Sequence, residues 1–186
     1  MSAARDRLLT TATELFYAHG LHSVGIDRIV ATAGVTRATL YRHFPSKDDL
    51  IVAYLSQADD ALRARAAAVR AEGASPDEAI RTIARAIADD IERKGFRGCA
   101  FLNAAAEFPD ASHPVHRAVL AHRTWFLDTM TALFAETGKG DEEAAARHFV
   151  MLRDGAMSAG CLADPEAVSE TLLLGVKGLL TYRSRR

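Results

Sequence analysis

The sequence has little cysteine, little proline and few aromatic residues. Cys99 and Cys161 are its two cysteines, and no CxxC spacing occurs, so neither a disulfide framework nor a thiolate zinc site is indicated. Aromatic residues make up 7% of the chain and strand-type alternation is scarce, which argues against a sheet-based fold. We expect both cysteines to be small apolar residues of the interior rather than redox sensors.

An excess of one charge and a long apolar run are also absent. The 23 Lys and Arg residues nearly balance 24 Asp and Glu residues, so any surface for a polyanion must be a local patch. No stretch approaches the ~20 apolar residues of a membrane span. Residues 1–7 are too polar to begin a signal peptide. We therefore expect a cytoplasmic protein without a membrane segment.

Helix-forming residues dominate what is present. Alanine, leucine, arginine and glutamate are abundant, and glycine and proline fall at intervals that divide the chain into helical stretches. Helices are predicted at about 3–19, 26–33, 37–44, 47–72, 76–93, 99–107, 114–136, 141–162 and 165–183. The sequence thus predicts an all-α fold, with a three-helix N-terminal domain at 1–46 and a helical body at 47–186.

The second and third predicted helices have the features of a helix-turn-helix motif. Ala33 is small where the two helices would touch, and Gly34 allows a left-handed turn. Val35 would fill the small core, and Thr36 is a good N-cap for the next helix.

The third predicted helix has one apolar face and one polar face. Leu40 and Phe44, four residues apart, would be buried. No acidic residue occurs from Thr36 to Lys47, so the opposite face is locally positive, as a phosphate backbone requires. Side chains with donors or small apolar groups point outward or to the flanks at Arg37, Ala38, Thr39, Tyr41, Arg42 and His43. We expect this helix to bind double-stranded DNA in the major groove.

Residues 34–50, GVTRATLYRHFPSKDDL, resemble the signature of TetR-family transcriptional regulators. The upstream residues that also fit are Phe16, Gly20, Asp27, Ile29 and Ala33. The resemblance is specific over about residues 5–55. It implies a homodimer whose N-terminal domains each read one operator half-site, and a C-terminal domain that dimerises and binds a small molecule.

By position, the resemblance assigns DNA-binding roles within the motif. Arg37, Ala38 and Arg42 become base readers. Thr39, Tyr41, His43 and Lys47 become phosphate contacts, with Thr36 at the helix start. The sequence departs from the family at Val24-Gly25-Ile26, where members often have a hydroxyl side chain, and we expect Arg28 to compensate for it.

The C-terminal body carries two further predictions. Small residues on the last two helices, among them Gly155, Gly175 and Gly178, are compatible with a dimer interface or with close packing inside one chain. Candidate effector-binding residues are Phe101, Asn103, Glu107, His122, Trp125, Phe126, Met130 and Phe149, and the same aromatic residues could simply form the core.

Other classes of function have weaker signals. His113 and His116, with Glu107 or His122, could share a metal, but this spacing is short and common. No GxSxG, HExxH or glycine-rich phosphate loop occurs, so we expect no catalysis, no cofactor and no metal site. The resemblance to the TetR family, together with the predicted DNA-binding helix, therefore implies a ligand-responsive DNA-binding regulator, and we expect a repressor. The alternative is a helical interaction module that does not read DNA.

Overall fold

The computed structural model describes residues 2–71 and 73–181. Within these residues all regular structure is helical, which confirms the predicted all-α fold. The described residues form nine helices: α1 (Ala3–His19), α2 (Ile26–Ala33), α3 (Arg37–His43), α4 (Lys47–Ala71), α5 (Pro76–Glu92), α6 (Ala100–Glu107), α7 (Pro114–Thr137), α8 (Glu142–Ala159) and α9 (Pro165–Thr181). The predicted helix ends at 72 and 183 lie outside the described residues.

Two compact units arise from the way the helices pack. The first contains the chain up to Ala61 together with Ala100–Ala121. In this unit α1, α2 and α3 pack against one another around the fully buried Leu8, Ile29 and Leu40. The domain boundary at residue 46 stays a prediction, because the contacts also place the first half of α4 and all of α6 in this unit.

Local chemistry fixes the turn between α2 and α3. Gly34 ends α2 with φ of 64°, a left-handed conformation that glycine adopts without steric cost. The Val35 N–H donates to the Val30 carbonyl oxygen at 3.1 Å. Thr36 Oγ1 accepts from the Thr39 N–H at 3.1 Å, which confirms the predicted N-cap of α3. The predicted helix-turn-helix geometry is therefore present.

The second unit comprises residues 62–99 and the chain from His122 onward. Here α5 packs against α8 and α9, and α8 packs against α9. Ser75 and Glu78 form a capping box that begins α5. The buried Ser169 hydroxyl on α9 donates to the Ala88 carbonyl oxygen of α5 at 3.2 Å, so the polar group in this core is satisfied.

The end of α8 differs from the prediction. The sequence pattern predicted a helix to residue 162, but α8 ends at Ala159 and the chain then turns. A Cβ on Gly160 would lie 2.7 Å from Ile91 Cγ2, so this glycine is required by close packing of the turn. The Leu162 N–H donates to the Ala159 carbonyl oxygen at 2.8 Å, a tighter turn than an α-helix makes.

The two cysteines differ in burial. Cys99 is buried, as the sequence predicted. The prediction of an interior position was wrong for Cys161, which is exposed, because it lies in the turn that follows the early end of α8.

Candidate nucleic-acid interface and internal cavity

The two faces of α3 have the predicted polarity. Leu40 is fully buried and Phe44 is 2% exposed, whereas Tyr41 is 46% exposed. Arg37, Ala38 and Arg42 are also exposed, and Thr39 and His43 are half-buried at the flanks. The helix therefore presents a row of donors on one side and is held to the core by the other.

Arg37 is already bound by an acidic residue. Its Nε and Nη2 atoms donate to the two carboxylate oxygens of Asp27, the second residue of α2. These hydrogen bonds lower the pKa of Asp27 and raise the pKa of Arg37. Sequence reasoning missed this pair because Asp27 precedes the basic stretch, although the helix-turn-helix geometry brings the start of α2 beside α3.

Arg28, Lys47 and His43 also bind other parts of the protein. Arg28 Nη2 donates to His19 Nε2 at 2.8 Å. Lys47 Nζ donates to the His22 carbonyl oxygen at 3.3 Å, and burial lowers the pKa of this ammonium group. His43 Nε2 lies 3.4 Å from Ser2 Oγ. The roles predicted for these residues in DNA binding stay predictions.

Glu107 holds the loop between α1 and α2. Its carboxylate accepts the Leu21 N–H at 2.8 Å and the His22 N–H at 2.6 Å. The His22 ring lies 2.8 Å from the Glu107 carbonyl oxygen. The last residue of α6 therefore anchors the loop that leads into the helix-turn-helix motif, a role that no sequence signal indicated.

The histidines that could have shared a metal make other contacts. His113 Nε2 lies 3.3 Å from Asp48 Oδ2, and His116 Nδ1 lies 2.6 Å from the Phe108 carbonyl oxygen. The Phe108 ring stacks on the His113 ring, with the ring centres 4.7 Å apart. Among residues 2–71 and 73–181, no group of three or more His, Cys, Asp or Glu side chains is arranged to hold a metal ion.

A cavity of about 260 Å³ lies inside the second unit. Its walls come from the C-terminal half of α4 and from α5, α7 and α8, and they are mostly apolar. The lining residues are Leu62, Arg65, Ala66, Ala68, Val69, Thr82, Ile83, Ala86, Ile87, Asp90, His122, Trp125, Phe126, Thr129, Arg153 and Met157.

Three of the predicted effector-binding residues line this cavity, and five lie elsewhere. His122, Trp125 and Phe126 form one aromatic wall. Met130 and Phe149 are fully buried in the core of the second unit. The remaining three, Phe101, Asn103 and Glu107, belong to the first unit. Spacing along a helix indicates which residues face inward, but it does not separate a cavity wall from a packed core.

Arg153 is a buried cation in the cavity wall. It is 7% exposed, its Nη1 donates to Asp154 Oδ1 at 2.9 Å, and its Nη2 donates to Cys99 Sγ at 3.1 Å. Burial by itself would lower the pKa of Arg153, but Cys99 and Asp154 stabilise the charged form and raise the pKa. Its guanidinium carbon lies 5.6 Å from the centre of the Phe126 ring.

A second cavity of about 530 Å³ lies among α7, α8 and α9. Exposed residues of the turn before α8, including Gly140 and Asp141, form part of its lining. It is larger than the first cavity, and its lining includes the aromatic side chains of Phe134 and His148.

One face of α8 and α9 exposes apolar and small residues. Met151 is 68% exposed and Leu174 is 69% exposed. Gly155 and Gly178, each four residues further along its helix, are exposed, and a Cβ on either would meet no atom within 4 Å. Helical spacing places each glycine on the same face as its apolar partner.

The N-terminal region matches a known family model. Residues 8–54 match the model described as bacterial regulatory proteins, tetR family. Over 58 residues the chain is 43% identical to the transcriptional activator FasR of Mycolicibacterium smegmatis, a match that covers 31% of this chain and 26% of FasR. The first curated relatives are therefore matched over about a quarter of their length.

Longer matches come from solved structures. A TetR-family transcriptional regulator from Streptomyces coelicolor is 67% identical, with a TM-score of 0.92, and the match covers 95% of this chain and 94% of that protein. A TetR-type transcriptional regulator from Streptomyces avermitilis, sav143, is 27% identical with a TM-score of 0.82, and the match covers 96% of this chain and 98% of that protein.

None of the described helices is long and apolar enough to cross a membrane.

Proposed function

Because this chain belongs to the TetR family of transcriptional regulators, we propose that it is a cytoplasmic repressor that a small molecule releases from its operator. TetR-family regulators are DNA-binding proteins and not enzymes. The observation that carries the proposal is α3, which buries Leu40 and Phe44 and exposes Arg37, Tyr41 and Arg42. This arrangement suits a helix that enters the major groove of DNA.

The outward side chains divide into two roles. Arg37 and Arg42 can each donate two hydrogen bonds to a guanine edge, and Ala38 can contact a thymine methyl group. Tyr41, at 46% exposure, and the flanking Thr39 and His43 have donors for phosphate oxygens. Before DNA binds, the ion pair with Asp27 fixes the position of the Arg37 side chain on the exposed side of α3. On binding, Arg37 exchanges the Asp27 carboxylate for a base edge.

The operator complex requires two copies of the chain. Two recognition helices that read successive major grooves must be about 34 Å apart, which a symmetric dimer provides. The apolar face of α8 and α9 that contains Met151 and Leu174 supports dimerisation, because a monomer rarely exposes such side chains together.

Release by an effector is proposed as a two-state equilibrium. An effector that binds better to a conformation with altered spacing of the recognition helices lowers operator affinity by its differential affinity for the two states. Support comes from α4, which contributes Leu50 and Tyr54 to the core beside the reading helices and Leu62 and Ala66 to the cavity wall. One continuous helix thus takes part in both sites.

The operator is first identified by selection of bound duplexes from a random library. Arg37→Ala is then expected to weaken operator binding by about 1–3 kcal/mol and to relax the preference at one base position.

Lys47→Ala is expected to weaken binding to all sequences and to reduce the salt slope by about one. Both are measured by fluorescence anisotropy over a range of salt concentrations.

The outcomes separate the candidate functions. If neither variant alters binding to any duplex, the protein is a helical interaction module and the DNA-binding role is lost. The direction of regulation is tested with a reporter under the operator promoter. Higher expression without the regulator supports a repressor, and lower expression supports an activator, the role that the name of FasR states for that protein.

A further inference from the structure

We infer that the 260 Å³ cavity binds an aromatic carboxylate, with the carboxylate at Arg153 and the ring against Trp125 and Phe126. This inference rests on the proposed function, because it names the chemical class of the effector. It is argued from the charge and shape of the cavity wall.

Arg153 shares the carboxylate of Asp154 with a second cation, Arg123. Asp154 is shared by two guanidinium groups, because its Oδ2 accepts from Arg123 at 2.6 Å while its Oδ1 accepts from Arg153 at 2.9 Å. Two cations therefore share one carboxylate. Arg153 also donates to Cys99 Sγ, and sulfur is a weaker hydrogen-bond acceptor than a carboxylate oxygen.

The two arginine side chains differ in their burial. Arg123 has a side chain that is 46% exposed, so water screens its charge, whereas the Arg153 side chain is 9% exposed. A buried cation that shares its carboxylate with another cation is best stabilised by a further anion. Since Arg153 forms part of the cavity wall, a ligand carboxylate can supply that anion.

Aromatic and apolar side chains form much of the remaining cavity wall. Trp125 and Phe126 lie beside the buried His122, with ring centres 5.6 Å and 6.2 Å from that of His122. Ile83, Ile87 and Met157 also line the cavity. Aromatic rings of a ligand gain from stacking or edge contacts with such side chains beyond the area that they bury. The wall therefore favours a ring attached to the carboxylate.

The test uses four matched probes and the single tryptophan of the chain as reporter. The probes are 4-butylbenzoate, the neutral 4-butylbenzyl alcohol, the cationic 4-butylbenzylammonium, and the saturated trans-4-butylcyclohexanecarboxylate. Because Trp125 lines the cavity, its emission reports occupancy of this site. Binding is titrated at pH 7.5 with the full chain, with excitation at 295 nm, and confirmed by calorimetry.

The expected result is an order of affinities. 4-Butylbenzoate binds about tenfold or more tightly than the alcohol, because the carboxylate makes charge-assisted hydrogen bonds. It binds about two- to tenfold more tightly than the saturated acid. Arg153→Met removes the advantage of the anion over the alcohol and leaves alcohol binding intact. Asp154 keeps Arg123 as a partner in that variant.

A cavity-filling pair of variants locates the probe. Ala66 lines the cavity, and its neighbour Ala67 is exposed and does not. Ala66→Leu is expected to weaken 4-butylbenzoate binding at least tenfold, and Ala67→Leu to leave it unchanged. Circular dichroism of each variant shows that it is folded. This pair also tests the cavity if Arg153→Met does not fold.

Three binding results overturn the inference. It fails if the alcohol or the ammonium compound binds as tightly as 4-butylbenzoate, if no probe binds at 1 mM, or if both leucine variants behave alike. Operator release is measured separately with the selected duplex. If 4-butylbenzoate binds as expected but leaves operator affinity unchanged, the ligand class stands and the proposed effector response is lost. If an unrelated compound releases the operator and 4-butylbenzoate does not bind, the ligand class is lost and the proposed effector response stands.

Discussion

At the residue scale, the most informative side chain is Asp27. Its carboxylate pairs with the Arg37 guanidinium in the protein without DNA. The exposed side of α3 is therefore less positive than the sequence from Thr36 to Lys47 indicates. An exposed ion pair of this kind contributes little to stability, since both groups are well solvated. We expect its effect to be on DNA binding, because the proposed contact of Arg37 with a base requires the pair with Asp27 to break.

Asp27→Asn is expected to raise affinity for non-specific duplexes several-fold at low salt. The variant removes a negative charge from the surface that faces phosphate, and the salt slope should become steeper by up to about 0.9. Anisotropy titrations with the operator and a scrambled duplex measure both. Asp6→Asn, an exposed acid on α1, is the matched control. Equal behaviour of the two variants would show that Asp27 does not restrain Arg37.

The pH dependence of this effect follows from the lowered pKa of Asp27, which the hydrogen bonds from Arg37 cause. A carboxyl group with a lowered pKa stays ionised above its ordinary pKa, and its pairing is lost only as pH falls through the lowered value. The difference between wild type and Asp27→Asn should therefore stay constant from about pH 5 to 8. A difference that disappears within this range would contradict the assignment.

Glu107 gives a second residue-scale prediction. Glu107→Ala leaves the part-buried Leu21 N–H and the His22 N–H without their acceptor. We expect the free energy of unfolding to fall by about 1–3 kcal/mol. Urea denaturation followed by circular dichroism measures the loss, with Glu14→Ala, an exposed carboxylate on α1, as control. Similar midpoints for the two variants would refute the anchoring role.

At the scale of the elements, the turn between α2 and α3 sets the orientation of the reading helix. The left-handed Gly34 and the Thr36 cap fix where α2 stops and α3 begins. Neither depends on a distant residue. The motif was therefore predictable from sequence, and so was the inward direction of Leu40.

Two glycines near α2 differ mainly in backbone conformation. Gly34 has φ of 64° and Gly25 has φ of −79°, and a Cβ on either would meet no atom within 4 Å. Gly34→Ala is expected to cost about 1–2 kcal/mol of stability, because alanine is strained in the left-handed region. Gly25→Ala should cost less than about 1 kcal/mol, since its φ suits any residue. Urea denaturation compares them, and equal losses would mean that conformation is not the cause.

At the scale of the whole molecule, we expect the exposed apolar residues of α8 and α9 to form the dimer interface. Leu174 and Met151, like Leu162 in the turn after α8, are apolar side chains of the second unit that a single chain leaves exposed. If two half-sites are read by a dimer, as proposed, substitutions on this face should lower operator affinity as substitutions on α3 do.

Leu174→Glu is expected to convert the dimer to a monomer, because it places a charge in an apolar interface. Size-exclusion chromatography with light scattering measures the mass, and operator affinity should fall in parallel. Ala67→Glu, also an exposed residue changed to a carboxylate, is the control and should remain dimeric. An unchanged mass for Leu174→Glu would place the interface elsewhere.

Sequence by itself determined the order of the described helices, the Thr36 cap of α3 and the polarity of α3. These features depend on residues within about four positions of one another, such as Thr36 with Thr39 or Leu40 with Phe44, so short-range spacing is sufficient. The bounds of α1 and α2 were predicted to the residue for this reason.

Only the tertiary structure decided which distant side chains meet. Glu107 reaches a loop 85 residues earlier, and Arg153 reaches Cys99, 54 residues away. The tertiary structure also shows that Trp125 and Phe126 line the cavity, whereas Met130 and Phe149 belong to the packed core. The early end of α8 has the same origin, because Gly160 packs against Ile91 of α5. Such pairings depend on how whole helices pack, which periodicity along one helix does not specify.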